Sequence, residues 1–299
     1  MLDLEKLNKV HFIGIGGIGV SAIARMMLRK GKIVSGSDES PSEITKALEE
    51  EGAKIFTEHS AENITEDTDL VVYTVAIDKD NPELKKAKEL EIETRTYSQM
   101  LGIISEGHYT VAVSGTHGKT TTTAMLAKVT VDSGLNPTVI VGSLMNGSNF
   151  ISGNSDFFIV EACEYNRSFL DLNPNVLVIT NIDEDHLDYY KDLTDIQGAF
   201  TELVSKLGEE DFVVCNPEDE KVKPVIENAK CKIVDYTKVE NIKDLKVAGE
   251  YNQENAKAAL RAAEILKVEK EKAVSSLQGF DGVWRRFEYK GKAENGAEI

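Results

Sequence analysis

Two patterns of hydrophobic and polar residues alternate along the first hundred residues. A short run rich in Val and Ile at 10–15 predicts a buried strand, whereas apolar residues at helical spacing over 18–30 predict a helix. The alternation continues with predicted strands at 32–37 and 70–74 and predicted helices at 42–51 and 82–90. Strands that alternate with helices favour a parallel sheet covered by helices, so an α/β fold is expected.

A second series of the same kind begins with a predicted strand at 109–114, a glycine loop and a helix that runs to about Asp132. The later pattern predicts strands at 137–141, 157–161, 176–180, 212–215 and 232–235, and helices at 194–207, 219–228 and 253–266. Because the pattern restarts and 299 residues suit two domains, we place a boundary near Gly107. The predicted domains are 1–106 and 107–290, and the polar residues 291–299 are interpreted as a linker stub.

The charge of the chain narrows the possible partners. The sequence has 34 Lys and Arg against 51 Asp and Glu, which gives a formal net charge of −17. Such a charge disfavours binding to nucleic acid or to an anionic membrane. A polyanionic small ligand must then be held locally by helix N-termini, metal ions and a few placed cations.

The cysteines and the amino terminus indicate a compartment. Cys163, Cys215 and Cys231 form no C-x-x-C pair, which favours neither a disulfide framework nor a zinc site. The first ten residues lack an apolar signal core, and no run approaches the roughly 18 apolar residues that a membrane span needs. A cytoplasmic protein without a membrane partner is expected.

The first glycine loop is Gly14-x-Gly16-x-x-Gly19, between a predicted strand and a predicted helix. Asp38 follows nineteen residues after Gly19, at the end of the next predicted strand, as in a dinucleotide fingerprint. The pattern leaves three alternatives open: a nicotinamide or flavin dinucleotide, another diphosphate ligand, or a tight structural turn.

The second loop, Gly115-Thr116-His117-Gly118-Lys119-Thr120-Thr121, is a stronger signal for a nucleotide. In such a loop the lysine reaches the β- and γ-phosphates and a threonine hydroxyl ligates magnesium. Val113 stands where the common spacing has Gly or Ala, so the loop is shorter than usual. His117 either points at the phosphates or fills the turn.

Polar residues after two other predicted strands suit a cation. Glu161 ends one strand, where a carboxylate at the carboxyl edge of a parallel sheet faces a phosphate loop; the alternative is a solvated strand end. His186 follows another strand, among three aspartates. His11, His59 and His108 have no such neighbours in sequence, and a structural role is expected for them.

These motifs together resemble the Mur ligases, which build the peptide of the bacterial cell-wall precursor. The second loop resembles the short phosphate loop of that family, and residues 12–19 with Ser21 resemble the members that add the first amino acid. The resemblance continues through 181–188 and through Gly282-Val283-x-Arg285-Arg286-Phe287. It implies a Rossmann-like amino-terminal parallel-sheet domain that binds a UDP-sugar, followed by a P-loop ATPase-like α/β central domain that binds ATP.

The resemblance also implies roles for individual residues. The UDP-sugar diphosphate is expected on the first loop, at Gly14, Gly16, Gly17, Ile18, Gly19 and Asp38. ATP is expected at Gly115, Thr116, His117, Gly118, Lys119, Thr120, Thr121, Asn252, Asn255 and Arg286. Mg²⁺ is expected at Thr120, Glu161 and His186, and the catalytic residues are Lys119, Glu161 and His186.

The implied reaction is ATP-dependent ligation of L-alanine to the lactyl carboxylate of UDP-N-acetylmuramate through an acyl phosphate. A monomer or a homodimer is expected. In the family a third domain follows the arginine pair and contributes to the amino-acid and ATP sites. The sequence stops at Ile299, so these residues are expected to bind ligands but to ligate poorly or not at all.

Departures from the family pattern keep other functions open. The family segment Glu-Ala-Asp-Glu-Ser-Asp here has Cys163, Tyr165 and Asn166 at three positions, and Tyr251 stands where His is frequent. One alternative is a ligase that joins a preformed peptide to the same sugar. The others are a non-catalytic nucleotide-sugar-binding module and a nicotinamide dehydrogenase, although a dehydrogenase leaves the second loop unexplained.

Overall fold

The structure is a computed structural model that describes residues 2–145 and 147–284. The chain divides into two compact units, residues 1–104 and 105–299, and the predicted boundary near Gly107 lies just after this division. The predicted linker stub at 291–299 is outside the described residues.

The first unit holds a five-stranded sheet in the order β3-β2-β1-β4-β5, and every neighbouring pair of strands is parallel. Its strands are β1 (Lys9–Ile13), β2 (Ile33–Ser37), β3 (Lys54–Phe56), β4 (Leu70–Tyr73) and β5 (Glu93–Thr96). Its helices are α1 (Ile18–Arg29), α2 (Glu43–Glu50), α3 (Pro82–Glu89) and α4 (Tyr97–Glu106), and the division between the units falls within α4.

Strand order places the first glycine loop at the centre of this sheet. β1 has β2 on one side and β4 on the other, so the chain order reverses at its carboxyl end. Ligands of open α/β sheets bind at this kind of position.

Local capping defines the start of α3: the Asn81 side chain accepts from the amides of Glu83 and Leu84, and Pro82 opens the helix.

The second unit holds a seven-stranded sheet in the order β12-β11-β10-β6-β9-β7-β8, in which only the β7–β8 pair is antiparallel. Its strands are β6 (Tyr109–Ser114), β7 (Thr138–Met145), β8 (Ser148–Ile151), β9 (Phe157–Glu161), β10 (Val176–Ile179), β11 (Phe212–Cys215) and β12 (Lys232–Asp235). Its helices are α5 (Lys119–Asp132), α6 (Leu193–Val204), α7 (Lys223–Ile226), α8 (Glu250–Ile265) and α9 (Lys270–Gln278).

The core of the second unit explains the position of the second loop. β6 lies between β9 and β10, and its Val111 and Val113 are fully buried against α5 residues such as Ala124 and Leu126. Strands buried on both faces read as continuous apolar runs, as the sequence pattern here does. The packing fixes the start of α5 at the carboxyl end of β6, between the ends of β9 and β10.

The predicted α/β class with parallel sheets is confirmed in both units. None of the helices within 2–145 and 147–284 combines the length and the hydropathy that a bilayer-spanning segment requires.

Candidate nucleotide sites

The first glycine loop connects β1 to α1 and is braced by the end of β2. The amides of Gly14 and Ile15 donate to the carbonyl of Ser37, at 2.8 and 3.1 Å. The amide of Gly16 donates to Asp38 Oδ2 at 2.9 Å. The Asp38 carboxylate therefore accepts from a loop amide that the sequence pattern predicts to bind an anionic ligand.

The N-terminus of α1 is suited to an anion. Gly17 is its N-cap and has no side chain that could accept from the first-turn amides. A cavity of about 600 Å³ lies beside the loop, and Asp38, Ser42, Thr45, Lys46 and Thr57 are among its lining residues. Asp38 accepts from the loop amide of Gly16 and also lines this cavity, so the loop and the cavity are adjacent.

The second glycine loop connects β6 to α5 and is held from β10. The amide of Thr116 donates to the carbonyl of Asn181 at 3.0 Å, and the amide of His117 donates to Asn181 Oδ1 at 2.9 Å. Gly118 is the N-cap of α5 with φ +84°, and a Cβ there would lie 2.3 Å from Asn255 Oδ1. Only glycine satisfies both the left-handed backbone and this close approach.

Lys119 lies folded over this loop. Its Nζ donates to the carbonyls of Gly115 and Thr116, at 2.6 and 3.1 Å, and lies 2.9 Å from both carboxylate oxygens of Glu164. The Glu164 side chain is only 2% exposed. Glu164 therefore supplies the negative charge that a bound phosphate would otherwise supply to Lys119.

Glu161 ends β9 and faces the start of α5. Its Oε1 accepts from the hydroxyl of Thr120 at 2.8 Å, and its Oε2 accepts from the amide of Gly142 at 2.8 Å. These two hydrogen bonds fix the carboxylate beside the threonine that the sequence assigned to magnesium. The structure thus brings together Lys119, Thr120 and Glu161, which are far apart in sequence.

A second group of possible metal ligands consists of Glu164, Asp185 and His186. One ligand atom from each residue lies within 4.8 Å of the others, and His186 Nε2 is 3.7 Å from Glu164 Oε1. His186 has φ +52°, a left-handed backbone conformation that is uncommon for residues other than glycine. Glu164 was not among the predicted site residues, although it belongs to the same segment as Glu161.

The other aspartates near His186 have different partners. Asp183 accepts from Lys221 Nζ at 2.8 Å, and this hydrogen bond holds the pKa of Asp183 below its ordinary value. Asp188 accepts from the Tyr165 hydroxyl at 3.2 Å, and the Tyr165 ring packs on the His186 ring with centroids 4.9 Å apart. Of Asp183, Asp185 and Asp188, only Asp185 belongs to the group of possible metal ligands with Glu164 and His186.

A cavity of about 390 Å³ opens beside the second loop, and its lining includes His117, Gly118, Tyr251, Asn252 and Asn255. Both asparagines are buried near the start of α8, whereas Tyr251 is 85% exposed. Asn255 Oδ1 accepts from the hydroxyl of Thr122 at 3.1 Å. His117 therefore borders this cavity.

Arginine and histidine residues complete the set of predicted positions. Arg286 lies outside the described residues. The sequence shows no polar cluster around His11 and His59, but in the structure both approach the buried carboxylate of Glu83, at 3.3 and 3.1 Å. Glu83 is distant from both histidines in sequence, so spacing gave no signal of this cluster.

Comparison with known families covers most of the chain. The Mur ligase family catalytic domain matches residues 9–109, and the Mur ligase middle domain matches residues 113–279. The chain is 44% identical to the UDP-N-acetylmuramate--L-alanine ligase of Clostridium kluyveri, over 97% of this chain and 70% of the relative. It is 43% identical to the Clostridium perfringens protein of the same name, over 96% of this chain and 70% of that protein.

Solved structures agree with these matches. The UDP-N-acetylmuramate-alanine ligase of Thermotoga maritima superimposes with a TM-score of 0.82 at 32% identity, over 96% of this chain and 72% of that chain. The UDP-N-acetylmuramate:L-alanyl-gamma-D-glutamyl-meso-diaminopimelate ligase of Neisseria meningitides gives a TM-score of 0.85, over 93% of this chain and all of that chain. Its identity is 24%, so that likeness concerns the fold alone.

Proposed function

The chain belongs to the Mur ligase family, and from this premise we propose that it is an ATP-dependent ligase that joins L-alanine to the lactyl carboxylate of UDP-N-acetylmuramate. The observation that carries the proposal is the convergence of Lys119, Thr120, Glu161, Glu164 and His186 at the carboxyl edge of one sheet. The named relatives support this substrate pair. As the sequence predicts, we place the proposed reaction in the cytoplasm.

In the proposed complex the first unit binds the UDP-sugar. The diphosphate lies on the N-terminus of α1, at Gly14, Gly16, Gly17, Ile18 and Gly19, because helix N-termini attract anions. The nucleoside occupies the adjacent cavity of about 600 Å³. Asp38 then leaves the Gly16 amide, since a carboxylate and a phosphate would repel each other there.

ATP binds to the second unit in this proposal. Its phosphates lie on the loop from Gly115 to Thr121, and its base lies in the cavity of about 390 Å³ between Tyr251 and the Asn252–Asn255 pair. Lys119 exchanges Glu164 for the β- and γ-phosphates. Glu164 is thereby freed for a new partner.

The side chains around Lys119 fit magnesium, which prefers oxygen ligands and keeps several waters. Thr120 and Glu161 would hold one ion, and Glu164, Asp185 and His186 would hold a second; buried Glu164 Oε2 has no aligned hydrogen-bond donor to satisfy it. Bound magnesium neutralises charge on the phosphoryl group during transfer.

The chemistry has two steps. An oxygen of the lactyl carboxylate attacks the γ-phosphorus, the bond to ADP breaks, and an acyl phosphate forms. The amine of L-alanine then attacks the acyl carbon, the carbon–oxygen bond to phosphate breaks, and the amide, inorganic phosphate and a proton are released. Lys119 balances the charge of the transferring group, and the second glycine loop holds the ATP phosphates in position for attack.

Calorimetric titration of the whole chain tests the substrate assignment. We expect UDP-N-acetylmuramate to bind, UDP-N-acetylglucosamine to bind more weakly because it lacks the lactyl carboxylate, and NAD not to bind. Equal binding of NAD, or no binding of the muramate, would overturn the assignment.

A further inference from the structure

A buried carboxylate in the first unit has no part in the proposed chemistry. Glu83 lies in the first turn of α3, and its side chain is 0% exposed. Its Oε2 accepts from the Ser37 hydroxyl at 2.5 Å and lies 3.1 Å from His59 Nδ1. Its Oε1 accepts from Asn63 Nδ2 at 2.7 Å. A carboxylate with this many donors is a fixed anchor rather than a surface charge.

The environment of Glu83 keeps it ionised. Burial raises its pKa, but the contacts with His11, Ser37 and Asn63 outweigh burial and leave the pKa below its ordinary value. His11 Nε2 lies 3.3 Å from Oε1 of this carboxylate. The N-terminus of α3 adds a favourable dipole.

Ser37 connects this anchor to the first glycine loop. The hydroxyl of Ser37 donates to Glu83, and the carbonyl of the same residue accepts from the amides of Gly14 and Ile15. The next residue, Asp38, accepts from the amide of Gly16. The end of β2 thus joins the cluster on one side to three consecutive loop amides on the other.

His59 is the member of the cluster that reaches solvent. Its Nδ1 lies 2.8 Å from Ser37 Oγ and 3.1 Å from Glu83 Oε2, and its side chain is 15% exposed, whereas His11 and Glu83 are fully buried. The single hydrogen of the Ser37 hydroxyl is directed to Glu83, so His59 Nδ1 is the donor in its own contacts. Replacing His59 therefore removes a donor at the solvent-facing edge of the cluster.

We propose that Glu83 and His59 are positioning residues for the diphosphate of the nucleotide sugar. They hold Ser37, and Ser37 holds the glycine loop on which the diphosphate lies. This proposal rests on the proposed function of the first unit and adds residues that never touch the ligand.

A pair of variants at His59 tests the proposal. Asn places an amide nitrogen near the position of Nδ1, so His59→Asn keeps the donor, whereas His59→Ala removes it. Glu58→Ala, at the exposed neighbouring residue, is the matched control. Each variant of the whole chain is titrated with UDP-N-acetylmuramate, with uridine, which lacks the diphosphate, and with a non-hydrolysable ATP analogue.

We expect His59→Ala to weaken UDP-N-acetylmuramate binding by about tenfold, the loss of one well-placed hydrogen bond. His59→Asn should restore most of that affinity, and uridine and the ATP analogue should bind all variants equally. Ser37→Ala removes the hydroxyl that donates to Glu83 but keeps the backbone carbonyl. This variant should weaken binding of UDP-N-acetylmuramate by a similar factor.

Unchanged affinity in His59→Ala and Ser37→Ala would overturn the proposal. An equal loss for uridine and for UDP-N-acetylmuramate would overturn it as well, since that result indicates general destabilisation of the unit. Failure of the unaltered chain to bind UDP-N-acetylmuramate would instead refute the proposed function, and this inference with it.

Discussion

The two glycine loops share a layout but differ in how they handle charge. Each follows a central parallel strand and opens a helix whose N-cap is a glycine, Gly17 or Gly118. The first loop offers backbone amides braced by Ser37 and Asp38, and contains no lysine. The second carries Lys119 and faces two carboxylates, Glu161 and Glu164.

This difference corresponds to two uses of a bound anion. Amides and a helix dipole suffice to hold a diphosphate that stays intact. Transfer of a phosphoryl group requires positioned cations that neutralise the developing charge, and carboxylates that hold the metal ions. The same backbone arrangement can therefore bind an intact diphosphate in one unit and support phosphoryl transfer in the other, according to the side chains around it.

The largest expected effect concerns the cation of the second loop. Lys119→Ala should weaken binding of an ATP analogue by roughly 10- to 100-fold, the range for a hydrogen bond to a charged group, and leave UDP-N-acetylmuramate binding unchanged. Lys128→Ala, on the same helix but paired with Asp132 near the surface, is the control. Isothermal titration measures both ligands, and an affinity within twofold of the unaltered chain would remove Lys119 from the ATP site.

The Lys119–Glu164 pair should also matter for stability. Removing only the lysine leaves Glu164 buried and without its cation, which typically costs about 3 kcal/mol or more. The double variant with Lys119→Ala and Glu164→Gln should therefore melt at a higher temperature than Lys119→Ala alone. If the double variant melts below Lys119→Ala in a calorimetric scan, the pair is not the source of the loss.

Glu164→Gln tests the second group of metal ligands. In the presence of the ATP analogue, Mn²⁺ binding measured by electron paramagnetic resonance should weaken by at least about tenfold, because a neutral amide is a poorer ligand for a hard cation. Asp183→Asn is the control, since Asp183 pairs with Lys221 instead. Equal Mn²⁺ affinity in both variants would exclude Glu164 as a ligand.

A smaller effect is expected at the exposed tyrosine beside the ATP cavity. Stacking of a base on an aromatic ring contributes about 1 kcal/mol at the lower end, so Tyr251→Ala should weaken ATP analogue binding by about fivefold. Tyr251→His should retain most of the affinity. If Tyr251→Ala binds as tightly as the unaltered chain, the base lies elsewhere.

The smallest effect is a pH dependence in the first unit. Because the folded-state pKa of Glu83 is lowered, its contribution to stability is complete above the ordinary carboxyl pKa of about 4.3 and is lost as the pH falls through the folded value. Hydrogen exchange of β1 amides should show that Glu83→Gln destabilises the unit at pH 7 and that the difference shrinks on acidification. A difference that grows toward low pH would contradict the assignment.

Much of the fold could be predicted because its signals are local. Glycine loops, apolar strands and Pro82 each identify an element from a few neighbouring residues. The three-residue β3 (Lys54–Phe56) and the strand β5 (Glu93–Thr96) were not predicted, since a short run with polar residues carries too little periodicity. Helix α9 (Lys270–Gln278) was also missed, because its buried positions are mostly small or polar.

The site was predicted only as far as its residues belong to recognisable segments. The phosphate loop and Glu161 follow from motif and strand position. Glu164 contacts Lys119, and Glu83 contacts two histidines, because the fold brings residues together that are distant in sequence. The spacing of these residues along the sequence gives no signal of either contact. Partners of charged side chains are thus the part of the site that required the structure.

The two glycine loops bind different nucleotides in this proposal, and a cross-titration of loop variants tests that separation. Gly16→Val places a side chain against Asp38 and Thr45, and Gly118→Val places one against Asn255. We predict that Gly16→Val loses UDP-N-acetylmuramate but binds the ATP analogue normally, and that Gly118→Val does the reverse. Loss of both ligands in either folded variant, or loss of the ATP analogue in Gly16→Val alone, would show that the two loops do not bind separate nucleotides.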